Sequence, residues 1–400
     1  MIKDSTILSQ AGRQPVSVGS PINVPVERAS TILCPTIEEL EENENPKKMC
    51  DHVCYGALGT SNAFALCDAI NRLEQGEGCV LTGSGLAACT MTLLALAVAG
   101  DHILMTDAVY GPQREFCRDI LSRFGIETTF YSPLLDADGM EKQIKANTRV
   151  IYAESPGSLT FEMQDIPMLA SIAHRHGALL VTDNTWASPI FYKPLLSGAD
   201  IVIEAATKFI GGHSDLVMGA ITARTKELYK RIRLFCIQTG QVSSPDDCYL
   251  ALRGLRTLKV RMEAQFKSAM RLAHLLACHP EVTHVHFPPL PSDPGYRIWK
   301  RDYSGGGALL SIELRDSFTS TAVAEMINGY QYFKPGASWG GYASLVQLCR
   351  PVRTAQPAYA EHEKSNSHSM LVRYAVGLED TEELCQDLEN GFHRLSILQS

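Results

Sequence analysis

Between residues 61 and 253 the sequence alternates short apolar runs with longer stretches of helical character. Apolar runs begin at Cys79, at Gly177 and at Ala199, and each is only a few residues long. A short apolar run between turn signals is typical of a buried strand, and strands that alternate with helices form mostly parallel sheets. The alternation therefore restricts the chain to an α/β fold in which helices cover such a sheet.

Lys208 follows the last of these runs, residues 199–203, in a turn rich in threonine and glycine. A lysine side chain is strongly hydrated and is rarely buried without a partner or a chemical role. In a desolvated position its amine loses a proton more readily and can form a Schiff base with an aldehyde. The common alternative, a solvated lysine in a turn, stays open on this segment alone.

The other two runs also end in residues suited to a ligand. The turn Gly83-Ser84-Gly85 lies between a predicted strand and a predicted helix, where backbone N–H groups and the helix dipole can hold a phosphate. Its spacing matches neither the dinucleotide-binding nor the P-loop pattern. Asp183 ends the run that begins at Gly177, where open α/β sheets bind ligands, although an aspartate there often only caps a turn. An anion site, a carboxylate and a lysine are together what pyridoxal phosphate (PLP) requires.

Motifs along nearly the whole chain resemble those of one enzyme family. They stand at residues 110–112 (Tyr-Gly-Pro), 154–156 (Glu-Ser-Pro), 183–185 (Asp-Asn-Thr), 207–208 (Thr-Lys), 212–215 (Gly-His-Ser-Asp), 253–258 (Arg-Gly-Leu-Arg-Thr-Leu), 299–302 (Trp-Lys-Arg-Asp) and 377–380 (Gly-Leu-Glu-Asp), the last after Arg373. On these residues the chain resembles the Cys/Met-metabolism family of fold-type I PLP-dependent enzymes, which includes cystathionine β-lyases, γ-lyases and γ-synthases. The segment Ser338-Trp339-Gly340-Gly341-Tyr342 is most similar to the bacterial cystathionine β-lyase branch.

The resemblance implies a fold-type I PLP-dependent transferase-like architecture with three regions. Residues 1–60 would form an arm that contributes to the neighbouring subunit's site, and residues 61–253 a large PLP-binding domain around a mostly parallel seven-stranded sheet. Residues 254–400 would form a smaller C-terminal α/β domain. A homotetramer built of dimers with shared sites is also implied. From apolar periodicity we predict a long amphipathic helix over 255–279 and a strand over 308–314.

The resemblance also implies a role for individual residues. Lys208 would hold the cofactor covalently and then act as the general base at the substrate Cα. Asp183 would keep the ring nitrogen protonated, so that the ring can accept electrons. Tyr110 would stack on the ring face, and Arg373 would bind the substrate α-carboxylate through two charge-assisted hydrogen bonds.

Two further groups of residues follow from the same resemblance. The expected phosphate ligands are Gly85, Leu86, Thr207 and, reaching from the neighbouring subunit, Tyr55. The expected substrate contacts besides Arg373 are Ser338, Trp339, Tyr55 and Asn184. Ser338 would also steady Lys208, so that the expected catalytic residues are Lys208, Tyr110 and Ser338.

Four residues depart from the family pattern. Ala57 and Leu58 stand where the resemblance leads us to expect two arginines, one for the phosphate and one near the distal end of the substrate. Ala205 replaces a phosphate-binding serine, and Ala337 replaces a tyrosine. One lost charge-assisted contact can cost about 1.5–3 kcal/mol. We expect a roomier and less polar distal pocket, which favours a smaller or less polar substrate group than that of cystathionine, as in an S-alkyl cysteine.

The leading hypothesis for the reaction is β-elimination at a carbon–sulfur bond. This reaction releases a thiol, pyruvate and ammonia from cystathionine or a related S-substituted cysteine. γ-Elimination, γ-replacement and the elimination of a leaving group other than thiolate stay open, with amino-acid racemisation as a side activity. A PLP-binding protein without robust catalysis is a further alternative.

The overall composition argues against several other classes of protein. A formal net charge of −8 gives no reason to expect nucleic acid or an anionic membrane as a partner. No apolar run approaches the roughly 18 residues that a membrane helix needs. The first residues lack the apolar core of a secretory signal, so we expect a cytoplasmic protein. The twelve cysteines are scattered without metal-ligand spacing, so we expect no metal site.

Overall fold

Seven strands form the larger of two β-sheets in the computed structural model, which describes residues 2–13, 17–43, 52–355 and 371–397. In chain order these strands are β1 (Gly78–Thr82), β2 (His102–Thr106), β3 (Glu127–Tyr131), β4 (Thr148–Glu154), β5 (Leu179–Asp183), β6 (Ile201–Glu204) and β7 (Gly219–Ala223). Their spatial order is β1-β7-β6-β5-β4-β2-β3, with β7 antiparallel to both neighbours and the other pairs parallel. The predicted α/β architecture with a mostly parallel seven-stranded sheet is confirmed.

Helices cover both faces of this sheet. The helices up to residue 256 are α1 (Asp4–Gln10), α2 (Ile37–Asn43), α3 (Ser61–Glu74), α4 (Gly85–Leu96), α5 (Gly111–Asp119), α6 (Ala137–Glu141), α7 (Ile166–Arg175), α8 (Ser188–Phe191), α9 (Lys226–Gln238) and α10 (Pro245–Arg256). One apolar layer contains side chains of α4, α5 and α9, and the other contains side chains of α3, α7 and α10. The sheet is therefore buried on both sides, as parallel sheets usually are.

Side chains of the central strands alternate between these two layers. On β5, Val181 packs in the layer of α4, whereas Leu180 packs in the layer of α3. The backbone N–H of Asn184 donates to the Ile203 carbonyl at 2.9 Å, which extends the pairing with β6 by one residue. Because the pleat has a period of two, Asp183 lies on the α4 face and Asn184 on the α3 face.

A second sheet follows the long helix α11 (Leu258–Ala277). Its strands are β8 (Val282–His286), β9 (Leu309–Leu314), β10 (Lys334–Pro335), β11 (Leu345–Cys349) and β12 (Leu371–Ala375), in the order β10-β11-β12-β9-β8, accompanied by α12 (Tyr296–Asp302), α13 (Ser320–Asn328) and α14 (Thr381–Ile397). The helix predicted over 255–279 begins only at Leu258, because the residues up to Arg256 complete α10. The strand predicted over 308–314 is β9.

The described part of the N-terminal region contains more regular structure than its weak periodicity suggests. Helix α1 buries Ile7 and Leu8 and contacts α3 and α10. A helix of seven residues has two turns, which are too few to produce a clear periodic pattern. Helix α2 buries none of its residues. Among the helices described, none combines the length and hydropathy that crossing a bilayer requires.

Two carboxyl groups meet in the apolar layer on the α3 side. Glu74 ends α3, Glu204 ends β6, and both are buried, with the amide of Asn184 beside them. Burial raises the pKa of Glu74 to about 7, although the ammonium of Lys193 opposes this rise. Burial and the charge of Glu74 raise the pKa of Glu204 well above its usual range. The pair therefore keeps a proton at neutral pH, which allows one carboxyl to donate to the other.

This pair should make the stability of the protein depend on pH. The folded state retains a proton that the unfolded chain releases above the ordinary glutamate pKa near 4.5, so stability should fall as pH rises from there through about 7. Glu204→Gln keeps the shape of the side chain and removes one acid. It should reduce the stability lost between about pH 5 and about pH 8 by on the order of 1–3 kcal/mol, measured by chemical denaturation. Glu325→Gln, at an exposed position of α13, is the control, and an equal pH dependence in both variants would contradict the assignment.

Candidate active site

A cavity of about 240 Å³ lies at the carboxyl ends of β5 and β6 and is lined by residues of both sheets. Parallel α/β sheets usually bind their ligands at this edge. The cavity brings together eight of the residues predicted from the sequence: Gly85, Leu86, Tyr110, Asp183, Thr207, Lys208, Trp339 and Arg373. Residues far apart in the chain therefore share one site.

Lys208 stands in the turn that follows β6. Its Nζ donates to Ser338 Oγ at 2.5 Å and lies 5.1 Å from the centre of the Trp339 ring. Burial and the nearby charge of Arg373 lower the pKa of Lys208 to about 8, while Asp183 acts in the opposite direction. A substantial fraction of this amine is therefore neutral near physiological pH, as a nucleophile or a base requires.

Asp183 is partly buried and is firmly held at the end of β5. Its Oδ1 accepts from the Thr185 backbone N–H at 2.9 Å and from the Thr185 hydroxyl at 2.6 Å. Its Oδ2 faces the thiol of Cys89 at 3.9 Å. Burial raises the pKa of Asp183, and the Thr185 donors, the charge of Lys208 and the Cys89 thiol oppose that rise. The carboxylate thus has one oxygen fixed by Thr185 and a second with only a weak thiol donor beside it.

The start of α4 forms an anion cradle. Ser84 caps the helix by accepting from the Ala87 N–H at 3.0 Å. The N–H groups of Gly85 and Leu86 lie in the first turn, where a helix supplies no internal acceptors and carries partial positive charge. A Cβ added at Gly85 would lie 2.6 Å from Ala205 Cβ, so a side chain there would collide with the facing turn.

Thr207 borders the same cradle but uses its hydroxyl within the chain. Its Oγ1 donates to the Met218 carbonyl at 3.1 Å and accepts from the Met218 N–H at 3.0 Å. A hydroxyl has one hydrogen, so a bond to a phosphate would require that hydrogen to turn away from Met218. The role of Thr207 as a phosphate ligand stays a prediction.

The donor set fits PLP. The helix start at Gly85 and Leu86 suits its phosphate, the anchored carboxylate of Asp183 suits a protonated ring nitrogen, and the amine of Lys208 suits its aldehyde. The glycine in the cradle supports this fit, because the close approach of Ala205 leaves the backbone rather than a side chain to contact the anion.

Arg373 brings a positive charge from the second sheet. It lies on β12, directly opposite Gln347 of β11, and its NH2 group donates to Gln347 Oε1 at 2.6 Å and to the Ser338 carbonyl at 3.3 Å. Ser338 adopts a φ of 80°, a conformation that non-glycine residues rarely adopt. This backbone turn directs the Ser338 carbonyl to Arg373 while its hydroxyl meets Lys208.

Tyr110 stands immediately before α5 and is about half exposed. Its backbone N–H donates to Glu154 Oε2 at 2.7 Å, which ties the start of α5 to the end of β4. Burial raises the pKa of the Tyr110 phenol, so this group keeps its proton at neutral pH. The structure thus places a protonated hydroxyl at the cavity.

The structure does not bring Asn184 or Tyr55 to this cavity. Asn184 lies on the opposite face of the sheet, where its Nδ2 donates to the Tyr192 carbonyl at 3.0 Å. The expected substrate contact of Asn184 is not supported, because the strand pleat directs neighbouring residues to opposite faces. Tyr55 is half exposed and does not line its own chain's cavity, so its contribution to a neighbouring subunit stays a prediction.

Four residues that contact this machinery were not assigned a role from the sequence. Thr185 and Glu154 stand inside the family motifs, so their positions carried a signal that could have been used. Gln347 and Cys89 carry no local signal, because strand register and helix rotation create their contacts. The site therefore depends in part on partners, Gln347 and Cys89, that the motifs do not contain.

Comparison with known proteins agrees with this geometry. The sequence profile of the family described as "Cys/Met metabolism PLP-dependent enzyme" matches residues 5–393. Cystathionine beta-lyase of Bordetella avium is 38% identical, with 97% of this chain and 97% of that protein covered. L-alanine/L-glutamate racemase of Wolbachia pipientis wMel is 35% identical, with 100% of this chain and 99% of that protein covered.

The fold comparison leads to the same family. The crystal structure of cystathionine gamma-lyase from Lactobacillus plantarum, complexed with L-serine, matches with a TM-score of 0.88 at 29% identity. The match covers 99% of this chain and 100% of that chain. Sequence and fold comparisons therefore agree over nearly the whole chain. This chain belongs to the Cys/Met-metabolism family of fold-type I enzymes and is a lyase-family enzyme with pyridoxal 5′-phosphate as its cofactor.

Proposed function

We propose that this enzyme is a carbon–sulfur β-lyase. Its substrate is cystathionine or, preferentially, an S-substituted cysteine with a less polar distal group, and with the uptake of one water its products are a thiol, pyruvate and ammonia. The observation that carries the proposal is the position of the Lys208 amine, which Ser338 holds in a cavity that also contains Asp183 and Arg373.

Each side chain has a defined task in this reaction. Arg373, steadied by Gln347, presents its planar guanidinium to the substrate α-carboxylate. The neutral amine of Lys208 accepts the Cα proton, and Ser338 holds that amine in place. When bound, PLP supplies an electron sink conjugated with Cα. The carbon–sulfur bond then breaks, and Tyr110, which retains its phenolic proton, can protonate the leaving sulfur.

The substrate preference is supported by apolar walls. Leu159, Phe161, Trp186 and Trp339 line the cavity beside the polar groups. Ala57 and Leu58 lie outside the cavity of their own chain, next to Tyr55, and would act on a neighbouring site. Ala337 lines a separate groove beside Gln347, so it does not enlarge the cavity directly. The apolar cavity walls and the apolar residues at 57 and 58 therefore both support a less polar distal group.

Two related reactions remain alternatives within the same chemistry. Return of the Cα proton to the opposite face would racemise an amino acid, and the full-length similarity to the racemase of Wolbachia pipientis favours this activity as a second candidate. γ-Elimination is the activity in the name of the structural relative from Lactobacillus plantarum. All three reactions begin with removal of the Cα proton, so they differ in the step that follows it.

We further propose that the enzyme is a homotetramer built of dimers. Half of the Tyr55 surface is exposed, and its side chain does not reach the cavity of its own chain. An arm that completes a neighbouring site would have this arrangement. Sedimentation velocity measures the assembly, and a fully active monomer would contradict the shared site.

The Lys208 amine should make cofactor capture depend on pH. Covalent attachment needs the neutral amine, and the pKa of Lys208 is lowered to about 8, so the capture rate of the apoprotein should rise with pH and level off above that value. Arg373→Met removes the charge that lowers this pKa and should move the midpoint upward. Stopped-flow absorbance with PLP measures the rate, with Lys208→Ala, which cannot form a borohydride-stable bond, as the control. If the pH midpoint of PLP capture is the same in Arg373→Met as in the wild-type protein, this account is contradicted.

A substrate panel tests the reaction and its specificity together. We expect pyruvate as the product, with kcat/KM for S-methyl cysteine at least equal to that for cystathionine. Leu58→Arg adds a charged partner near the distal end and should shift the ratio of the two constants about tenfold or more toward cystathionine. The conservative Leu58→Met is the matched control.

The same panel can contradict each part of the proposal. A wild-type preference for cystathionine by orders of magnitude would contradict the distal specificity. Release of 2-oxobutyrate from homocysteine derivatives as the main reaction would favour γ-elimination instead. Inversion of alanine faster than any pyruvate release would favour the racemase.

A further inference from the structure

Two consecutive hydrogen bonds connect Tyr152, in the interior of the larger sheet, through Cys89 to Asp183. The Tyr152 hydroxyl, on β4, donates to Cys89 Sγ at 3.3 Å. The Cys89 thiol, on α4, donates to Asp183 Oδ2 at 3.9 Å. Tyr152 is 0% exposed and Cys89 is 2% exposed, and Cys89 also lines the cavity. The thiol therefore lies between a fully buried phenol and the carboxylate of the site.

The two oxygens of Asp183 are used differently. Oδ1 receives two strong donors from Thr185, at 2.9 and 2.6 Å, and is fixed by them. Oδ2 receives the thiol hydrogen, and a thiol is a weak donor. Oδ2 therefore keeps most of its capacity to accept a strong charge-assisted hydrogen bond, such as one from a protonated ring nitrogen.

The thiol of Cys89 remains protonated in this environment. Burial, together with the negative charge of Asp183, holds the pKa of Cys89 well above its ordinary value. The S–H group therefore persists as a donor and does not act as a thiolate nucleophile. Asp183 also interacts electrostatically with five other titratable groups: Lys208, Glu154, Glu204, Tyr110 and Tyr152.

We propose that Cys89 is a positioning residue that orients Asp183 Oδ2 toward the cofactor ring nitrogen and does not compete strongly for that oxygen. The proposal deepens the proposed function and rests on it, because it requires PLP in this cavity. A residue that only filled space in the α4 layer would need the volume of a thiol but not its hydrogen. Alanine and serine at position 89 separate these two roles.

The experiment titrates full-length apoproteins with PLP and compares Cys89→Ala, Cys89→Ser and the control Cys117→Ala. Cys117 is a thiol of the same apolar layer, also 2% exposed, whose hydrogen goes to Met105 Sδ. We expect Cys89→Ala to weaken PLP binding about two- to threefold, less than the loss of one ordinary hydrogen bond, because a thiol is a weak donor. It should also shift the pH midpoint of the absorbance of the bound cofactor, and Cys89→Ser should recover part of both changes because it keeps a donor.

Tyr152→Phe provides a second test that leaves the volume at position 89 unchanged. It should shift the absorbance midpoint in the same direction as Cys89→Ala, by a smaller amount, and thermal melting of each apoprotein verifies that it folds. Equal effects of Cys89→Ala and Cys117→Ala on affinity and midpoint would overturn the proposal, as would a Cys89→Ser variant no better than Cys89→Ala. If the Cys89 variants show no specific effect but the wild-type protein captures PLP, only the role of Cys89 is overturned. If the wild-type protein captures no PLP, the role of Cys89 and the proposed function are both overturned.

Discussion

The partly buried carboxylate of Asp183 is the constraint on which the geometry of the site depends. An ionised group in a protein interior persists only where hydrogen bonds replace its lost hydration. Thr185 supplies two of these bonds, and the Thr185 hydroxyl also accepts from the Ala205 N–H at 2.9 Å. One threonine thus joins the end of β5 to the turn that carries Lys208. The acid and the amine keep a fixed relation because their segments share this partner.

The pleat of the larger sheet places Asp183 and Asn184, which are adjacent in the chain, in two different environments. Asp183 lies on the α4 face, where it borders the cavity, and Asn184 lies on the α3 face beside Glu74 and Glu204. One environment maintains a carboxylate through strong donors, whereas the other retains a proton because burial disfavours two adjacent charges. Adjacent polar residues therefore face different environments because the pleat directs their side chains to opposite sides of the sheet.

Much of the fold and the centre of the site could be predicted from the sequence. The apolar runs indicated the sheet, and the residues at their ends indicated Asp183 and Lys208, while family motifs added Arg373. The structure does not support the assignment of Asn184 to the substrate, because a motif does not state which face of the sheet each of its members occupies. Cys89 could not be found in this way either, since its contact with Asp183 requires α4 to pack on β4 and β5 in one particular rotation.

By itself the sequence determined the α/β class and the chemical groups available for PLP, because hydrophobic period and turn residues act locally along the chain. The tertiary structure alone decided which groups share a cavity. Ser338 Oγ lies 2.5 Å from Lys208 Nζ although the two residues are 130 positions apart. Arg373 meets Gln347 only through the register of β11 and β12. Such contacts depend on strand order, register and the approach of two sheets, which no short segment of the chain encodes.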